Sequence, residues 1–142
     1  MMKKIMYLVL IGLVLFGLIQ LIPFGKDHTN PAMVSEPNWN SPATRQMAKD
    51  YCFQCHSNET EWPRYSNVAP ASWLLAFDVM NGRSRFNFSD WKSNPTSAGE
   101  LAESIQSGEM PPIQYTLFHP SSVLNAQQKQ DFIQGLQATL GQ

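Results

Sequence analysis

The pattern of apolar and polar residues divides the chain into three parts. An apolar run extends from Ile5 to Ile22, preceded by Lys3 and Lys4 and followed by Pro23. A segment without any sustained period comes next. In the remainder, apolar residues recur at helical spacing, and no window alternates as a strand does. We therefore divide the chain into an N-terminal hydrophobic segment, a linker and a folded domain, at residues 1–23, 24–40 and 41–142.

The N-terminal run has the length of a short membrane span. A spanning helix needs about 17–25 residues and a secretory apolar segment about 7–15, so residues 5–22 favour a span. No small-residue cleavage site follows. We interpret the run as an uncleaved signal-anchor, with Lys3 and Lys4 in the cytoplasm and the rest of the chain in the periplasm or extracytoplasmic space. A cleaved signal peptide is the alternative, and it exports the domain as well.

The linker is predicted to be flexible. Pro31 and Pro37 interrupt residues 24–40, and asparagine, serine and threonine surround them. His28 lies in this stretch and is assigned no role.

The folded part opens with two predicted helices. Ser41 is suited to cap the first, with Pro42 at its first position, and this helix runs into Cys52. The second has Pro70 near its start and Gly82 after its end. Its predicted apolar face consists of Trp73, Leu74 and Phe77.

Two further helices complete an all-α fold. Ser97 and Glu100 form a capping box, and Gly108 stops the helix that they open. Asn125 caps the last helix and Gly141 ends it. Their apolar positions are Leu101 and Ile105 in one, and Phe132, Ile133, Leu136 and Leu140 in the other. Long loops are predicted at 56–69, 83–96 and 109–124, and so small a domain needs something to pack around.

Charge and cysteine content exclude two classes of protein. The net charge is −1, so no basic surface indicates nucleic-acid binding. The chain has two cysteines, which excludes a disulfide scaffold.

The two cysteines form a C-x-x-C-H motif with the histidine that follows. Cys52, Cys55 and His56 allow four interpretations. A disulfide would close a very short loop and leave the histidine without a role. A zinc site needs a fourth ligand, and a redox dithiol needs a βαβ context, which the pattern lacks. Covalent haem c uses all three residues, because thiols at i and i+3 on one helical turn reach the two vinyl groups and the histidine ligates the iron.

A haem would also account for the aromatic residues of the domain. We expect them to wall a haem, with Pro70 and Trp73 among the cofactor contacts; the set is Trp62, Tyr65, Trp73, Phe77, Phe86, Phe88 and Trp91. Ordinary core packing is the alternative for each, and for most of them it is the better interpretation. The second ring nitrogen of His56 needs a carbonyl partner, for which we expect the turn at 68–70.

The second axial ligand is predicted to be Met110. It stands before Pro111 and Pro112, and a stiff loop presents a thioether at little entropic cost. The rivals are Met47, Met80 and His119. A sulfur ligand favours electron transfer, whereas an open position would allow a sensor or peroxidase-like enzyme, with His119 and Arg83 or Arg85 beside the iron.

The longer pattern of motifs resembles the bacterial haem-binding domain family of membrane-anchored monohaem cytochromes. The resemblance covers about residues 50 to 140. Its motifs are C-H-S-N-x-T at 55–60, W-P-x-Y-S at 62–66, A-P-x-S-W at 69–73, G-R and N-F-S-x-W within 82–91, M-P-P-x-x-Y at 110–115, and H-P at 119–120. Arg64 departs from the expected aromatic residue. The resemblance implies haem binding, and it hardly implies a partner.

These observations together predict a small cytochrome c-like domain. Its loops would pack around one haem c, attached through Cys52 and Cys55 and ligated by His56 and Met110. It would exchange single electrons with membrane-bound or periplasmic redox proteins.

Overall fold

The first helix stands apart from the packed domain. The structure is a computed structural model, and it describes residues 1–141. Helix α1 (Met2–Ile19) buries none of its 18 residues and has a mean hydropathy of 2.1. It is long and apolar enough to cross a membrane. Gln20 follows it and reaches back to the domain, where its side chain donates to the Ala69 carbonyl (3.0 Å) and accepts from the Ala69 amide (2.9 Å).

The second and third helices meet at the first cysteine. Helix α2 (Pro42–Tyr51) begins as predicted, with the Ser41 hydroxyl accepting from the Thr44 amide at 3.1 Å. The backbone turns at Cys52, and the single turn α3 (Phe53–His56) follows.

The fourth helix differs from the prediction in both its length and its buried face. Helix α4 (Ala71–Arg85) continues through Gly82, where the sequence predicted its end. The absence of a side chain at Gly82 lets the Cys55 carbonyl approach the helix backbone. Its buried residues are Ser72, Leu75, Ala76, Val79 and Gly82. The predicted apolar face is wrong, since Leu74 and Phe77 are 46% and 57% exposed.

The helices after α4 begin and end as the sequence indicates. Helices α5 (Ala98–Ser107) and α7 (Ala126–Leu140) both open with a capping box, and Gly108 ends α5 in the left-handed region. The predicted long loops contain short helical turns, at Arg64–Asn67, at α6 (Ile113–Thr116) and at Pro120–Ser122. The all-α class is confirmed: residues 1–141 contain no strand, and one isolated bridge joins Ser35 to Asp90.

The hydrophobic core lies between α2, α3, α5 and α7. Its largest fully buried side chains are Phe53, Phe88, Phe132 and Leu136. Phe53 and Phe88 stack with ring centroids 5.4 Å apart. The core therefore packs α3 against the loop that follows α4.

Residues 24–40 lie on the domain, although they were predicted to form a flexible linker; we call them the strap. The Val34 amide donates to Ser89 (2.8 Å), and Glu36 forms an ion pair with Arg45 (2.6 Å). His28, which was assigned no role, stacks on Trp62 with centroids 4.6 Å apart.

Candidate functional site

The two cysteines lie on one helical turn. The amides of Cys55 and His56 both donate to the Cys52 carbonyl, at 3.1 and 2.9 Å. Both thiols are free and half-buried. Burial raises the pKa of each thiol to about 12. A redox dithiol needs a depressed pKa on its attacking cysteine, so this environment opposes that interpretation of the motif.

Phe86 contacts His56 through both its ring and its carbonyl and orients the imidazole. Its imidazole lies parallel to the Phe86 ring, with centroids 3.9 Å apart and an angle of 11° between the planes. Its Nδ1 lies 3.3 Å from the Phe86 carbonyl oxygen. Because a carbonyl only accepts, Nδ1 carries the hydrogen and Nε2 keeps a free lone pair. Burial lowers the pKa of His56 to about 4, so the neutral, ligand-competent form prevails at neutral pH.

The carbonyl that holds His56 is not the predicted one. We expected the turn at 68–70, but the Ala69 carbonyl is bound to Gln20. Phe86 supplies the partner because α4 ends one residue before it, which brings the extended chain back over the imidazole.

A cavity of about 250 Å³ opens beside these residues. Its walls come from α3, α4, α5 and the loop that leads into α6. The residues lining it include Cys52, Cys55, His56, Phe86, Leu101, Ile105, Met110, Pro111 and Tyr115, together with Asp78, Asn81, Arg85 and Gln114. The structure thus brings both cysteines, the histidine and Met110 to one cavity.

Met110 reaches the cavity on a short, fixed loop. Its amide donates to the Ser104 carbonyl at 3.1 Å, immediately after Gly108 ends α5. Pro111 and Pro112 follow it and line the same cavity.

The other predicted site residues lie outside this cavity. Pro70 caps α4 and Trp73 is half-buried on the same helix, and neither lines the cavity. His119 is engaged elsewhere, with Nε2 2.7 Å from the Tyr65 hydroxyl and its ring stacked on Tyr115. Met80 lines a second cavity, beside the strap.

The predicted aromatic wall is largely absent from the cavity. Of the seven aromatic residues proposed for it, Phe86 alone is found in the lining. Phe88 and Trp91 belong to the core cluster, while Tyr51 and Tyr115 face the cavity in their place.

Sequence reasoning missed the polar side of the cavity. Asp78, Asn81 and Arg85 follow one another at i, i+3 and i+7 on α4. This stripe could have been recognised in the sequence, but the predicted helix ended at Gly82 and so left Arg85 outside it. Burial raises the pKa of Asp78, an effect that Gln114 opposes through a hydrogen bond.

A second missed feature is the polar network that surrounds the motif. Asn87 donates to the Asn58 side chain at 2.9 Å, and the Ser89 hydroxyl accepts from the Asn58 amide at 2.9 Å. Asn58 also donates to Ala32 of the strap at 2.8 Å. The segments 55–60 and 87–91 are therefore bound to each other.

The lining suits a haem. Thiols and a neutral imidazole are the groups that hold a covalent haem, and the apolar residues match its macrocycle. Arg85 offers a cation for the carboxylates at the edge of that ring. Within residues 1–141, no three histidine, cysteine or acidic side chains are grouped to hold a metal ion by themselves, so nothing supplies the further ligand that zinc requires.

Comparison with known proteins agrees with this assignment. Residues 14–138 match the family model described as a haem-binding domain. No match was found among curated proteins or among solved structures. The matched span begins within α1 and includes the strap, the cavity and most of α7.

Proposed function

The chain belongs to the haem-binding domain family, and from this premise we propose that it is a membrane-anchored monohaem c-type cytochrome that transfers single electrons. The observation that carries the proposal is the convergence of Cys52, Cys55, His56 and Met110 on one cavity. When bound, the haem supplies a reversible one-electron change at its iron.

The cysteines would attach the cofactor covalently. Each thiol of Cys52 and Cys55 would add across one vinyl group, with its hydrogen going to one vinyl carbon and its sulfur forming a thioether with the other. This addition needs no external oxidant. The helical turn fixes the spacing of the two sulfurs, since the amides of Cys55 and His56 both donate to the Cys52 carbonyl.

His56 and Met110 would hold the iron of the haem. Nε2 of His56 is free to donate its lone pair because Nδ1 faces the Phe86 carbonyl. Met110 contributes a thioether from a loop that proline stiffens. A histidine and methionine pair raises the reduction potential and leaves no place for a substrate, which suits an electron carrier.

The alternative is a haem-based sensor or a peroxidase-like enzyme with a labile sixth ligand. Such a site would use His119 with Arg83 or Arg85. Only Arg85 lines the cavity, while His119 binds Tyr65 and Arg83 binds the Ser57 carbonyl at 2.8 Å. The geometry therefore favours the carrier.

The anchor would place the domain at the outer face of the cytoplasmic membrane. Helix α1 would cross the bilayer with Lys3 and Lys4 on the cytoplasmic side. Redox proteins of the membrane or the periplasm would then be the donor and the acceptor.

The test uses the full chain, expressed in cells that attach haem c. A denaturing gel stained for haem should show a band at the chain's mass, and the Cys52→Ala, Cys55→Ala double variant should lose that band. Spectra of the reduced protein should not change when carbon monoxide is added. Haem that dissociates on the gel despite working attachment machinery would refute the covalent cytochrome, and ready carbon monoxide binding would favour the sensor or enzyme.

A further inference from the structure

The stretch that carries Met110 is loosely packed. None of residues 109–121 is buried, and its three most exposed large apolar side chains, at 75%, 73% and 72%, are Ile113, Leu117 and Phe118. We call residues 109–121 the lid, because they form one wall of the cavity. The lid residues in that wall are Glu109, Met110, Pro111, Pro112, Gln114 and Tyr115. Burial in the core does not hold the lid in place, so its position depends on specific contacts.

The first part of the lid is joined to α5. Gly108 ends that helix, and the Met110 amide donates to the Ser104 carbonyl at 3.1 Å. This contact fixes the backbone where the lid begins. The position of the thioether depends on the rest of the lid as well, because the stiff Pro111–Pro112 pair couples Met110 to α6.

The far end of the lid is joined to another part of the domain. Nε2 of His119 lies 2.7 Å from the Tyr65 hydroxyl oxygen. The His119 ring also stacks on Tyr115, with centroids 4.4 Å apart and planes 19° apart. Between the two ends, Gln114 is hydrogen-bonded to Asp78 of α4. One imidazole therefore connects Tyr65 to the wall that Tyr115 and Met110 share.

Tyr65 lies on a turn that is itself firmly held. It belongs to the turn Arg64–Asn67, in which Ser66 is fully buried. The Ser66 hydroxyl donates to the Pro63 carbonyl at 2.6 Å, and the Ser66 carbonyl lies 3.2 Å from Nε2 of His28 in the strap. The hydrogen bond between Tyr65 and His119 therefore restrains the lid against a fixed point.

We propose that Tyr65 and His119 are positioning residues for Met110: their hydrogen bond closes the lid across the cavity and keeps the thioether at the proposed iron position. The proposal rests on the proposed function, since it requires Met110 to be the sixth ligand. It gives a role to W-P-x-Y-S at 62–66 and H-P at 119–120, two motifs that neither haem attachment nor ligation uses. It also makes the two ligands unequal, because buried Phe86 orients His56 whereas a partly buried hydrogen bond positions Met110.

Added imidazole measures how often the lid is open. It can bind the ferric iron of the haem-loaded full chain only when Met110 has left, so its apparent affinity rises with the open population. A hydrogen bond between neutral side chains changes such an equilibrium by roughly two- to tenfold. Absorption titration of Tyr65→Phe should therefore show imidazole binding roughly two- to tenfold tighter than in the parent. Tyr65 does not line the cavity, so its hydroxyl does not act on the added imidazole directly.

Thr139→Val is the matched control. It also deletes a hydroxyl that takes part in a hydrogen bond, here to the Asn40 side chain at 3.0 Å, between α7 and the strap. Neither of these residues lines the cavity. This variant should be less stable to denaturant than the parent, yet its imidazole affinity should be unchanged. General destabilisation is thereby separated from opening of the lid.

A second variant tests whether the two residues act through one contact. His119→Phe keeps a ring to stack on Tyr115 and removes the nitrogen that faces Tyr65. Its effect on imidazole affinity should equal that of Tyr65→Phe, and the double variant should bind no tighter than either single variant. Additive effects would show that the two side chains act separately and would overturn the proposal.

Hydrogen exchange supplies a readout that does not depend on the iron. The amides of Thr116, Leu117 and His119 are hydrogen-bonded within the lid, and they should exchange faster in Tyr65→Phe while those of α7 do not change. Unchanged exchange in the lid, or an unchanged imidazole affinity, would overturn the proposal.

Met110→Ala separates this failure from failure of the proposed function. If Met110→Ala opens the iron to imidazole while Tyr65→Phe changes nothing, the role of Tyr65 and His119 is wrong and the ligand assignment remains. If Met110→Ala leaves the spectrum and the imidazole affinity unchanged, Met110 is not the ligand, and the proposed positioning role is wrong with it.

Discussion

Phe86 contacts His56 in two ways at once. Its ring lies parallel to the imidazole at 3.9 Å, and its carbonyl oxygen faces Nδ1 at 3.3 Å. The backbone is joined as well, because the His56 carbonyl accepts from the Phe88 amide at 2.8 Å. One short segment after α4 therefore sets the position, the tilt and the tautomer of the proposed iron ligand.

Replacing Phe86 with alanine should destabilise the domain by about 3–5 kcal/mol, because the change removes a buried ring and leaves a cavity beside the imidazole. Chemical denaturation of the full chain in detergent measures this. Phe77→Ala is the control, since that ring is 57% exposed and its loss should change the free energy of unfolding by less than about 0.5 kcal/mol. Equal effects of the two substitutions would show that the ring of Phe86 does not support the site.

Gly82→Ala should weaken the contact between α4 and α3. A Cβ at this position would collide with the carbonyl of Cys55, so the two backbones must separate. Overpacking of this kind costs about 1–3 kcal/mol, which exceeds the roughly 1 kcal/mol that alanine gains over glycine inside a helix. We expect a lower free energy of unfolding and less attached haem on a stained gel.

Gly99→Ala is the matched control for that substitution. Gly99 lies in the first turn of α5, where an added Cβ would have only the Ser97 hydroxyl nearby, at 3.9 Å. This variant should be as stable as the parent or slightly more so. A Gly82→Ala protein that behaves in the same way would show that the close approach at Cys55 is dispensable.

The starts of α2, α5 and α7 were predictable, because N-terminal capping depends on residues three positions apart. Ser41, Ser97 and Asn125 cap as their spacing indicates. The buried face of α4 was not predictable in this way. Periodicity identifies an apolar face but not what covers it. The buried face of α4 includes small residues such as Ser72, Ala76 and Gly82, and Gly82 lies against the Cys55 carbonyl of α3.

The residues of the candidate site also differ in whether local sequence could predict them. The cysteines and His56 were predictable because one helical turn relates them. Met110 was recognisable from the prolines that follow it. The partner of His56 was not, because Phe86 lies 30 residues away and only the tertiary fold brings it near.

Met110→Ala should open the proposed sixth position. No other methionine lines the cavity in the described part of the chain, so the reduced protein should bind carbon monoxide and its reduction potential should fall. Absorption spectra and a redox titration measure both effects. Met33→Ala, which removes an exposed thioether from the strap, should change neither. An unaltered spectrum and potential in Met110→Ala would exclude Met110 as the ligand.

Glu36 should make the stability of the strap depend on pH. The Arg45 guanidinium binds both carboxylate oxygens, at 2.6 and 2.7 Å, and this holds the pKa of Glu36 below its usual 4.5. A lowered folded-state pKa stabilises the protein above the unfolded pKa, and this stabilisation is lost as the pH falls through the folded value.

Glu36→Gln should therefore cost about 1 kcal/mol at neutral pH, a modest value because Arg45 stays partly exposed to solvent. The difference from the parent should shrink as the pH falls below about 4.5. Denaturation curves across pH measure it, with the exposed Glu103→Gln as control. A difference that does not change with pH would show that the carboxylate charge is not what matters.

Arg83→Lys should loosen the strap while leaving the charge unchanged. Arg83 donates through Nε to the Ser57 carbonyl (2.8 Å) and through Nη2 to the side chains of Asn30 (2.8 Å) and Thr60 (3.0 Å). One guanidinium therefore joins α4, the strap and the segment that follows α3. A lysine ammonium cannot reproduce that fork, and we expect a loss of about 2 kcal/mol in the free energy of unfolding. Hydrogen exchange should also become faster across the strap. The control is Arg64→Lys at an exposed position, which should alter neither quantity. Unchanged exchange in Arg83→Lys would mean that the other contacts of the strap hold it without the guanidinium.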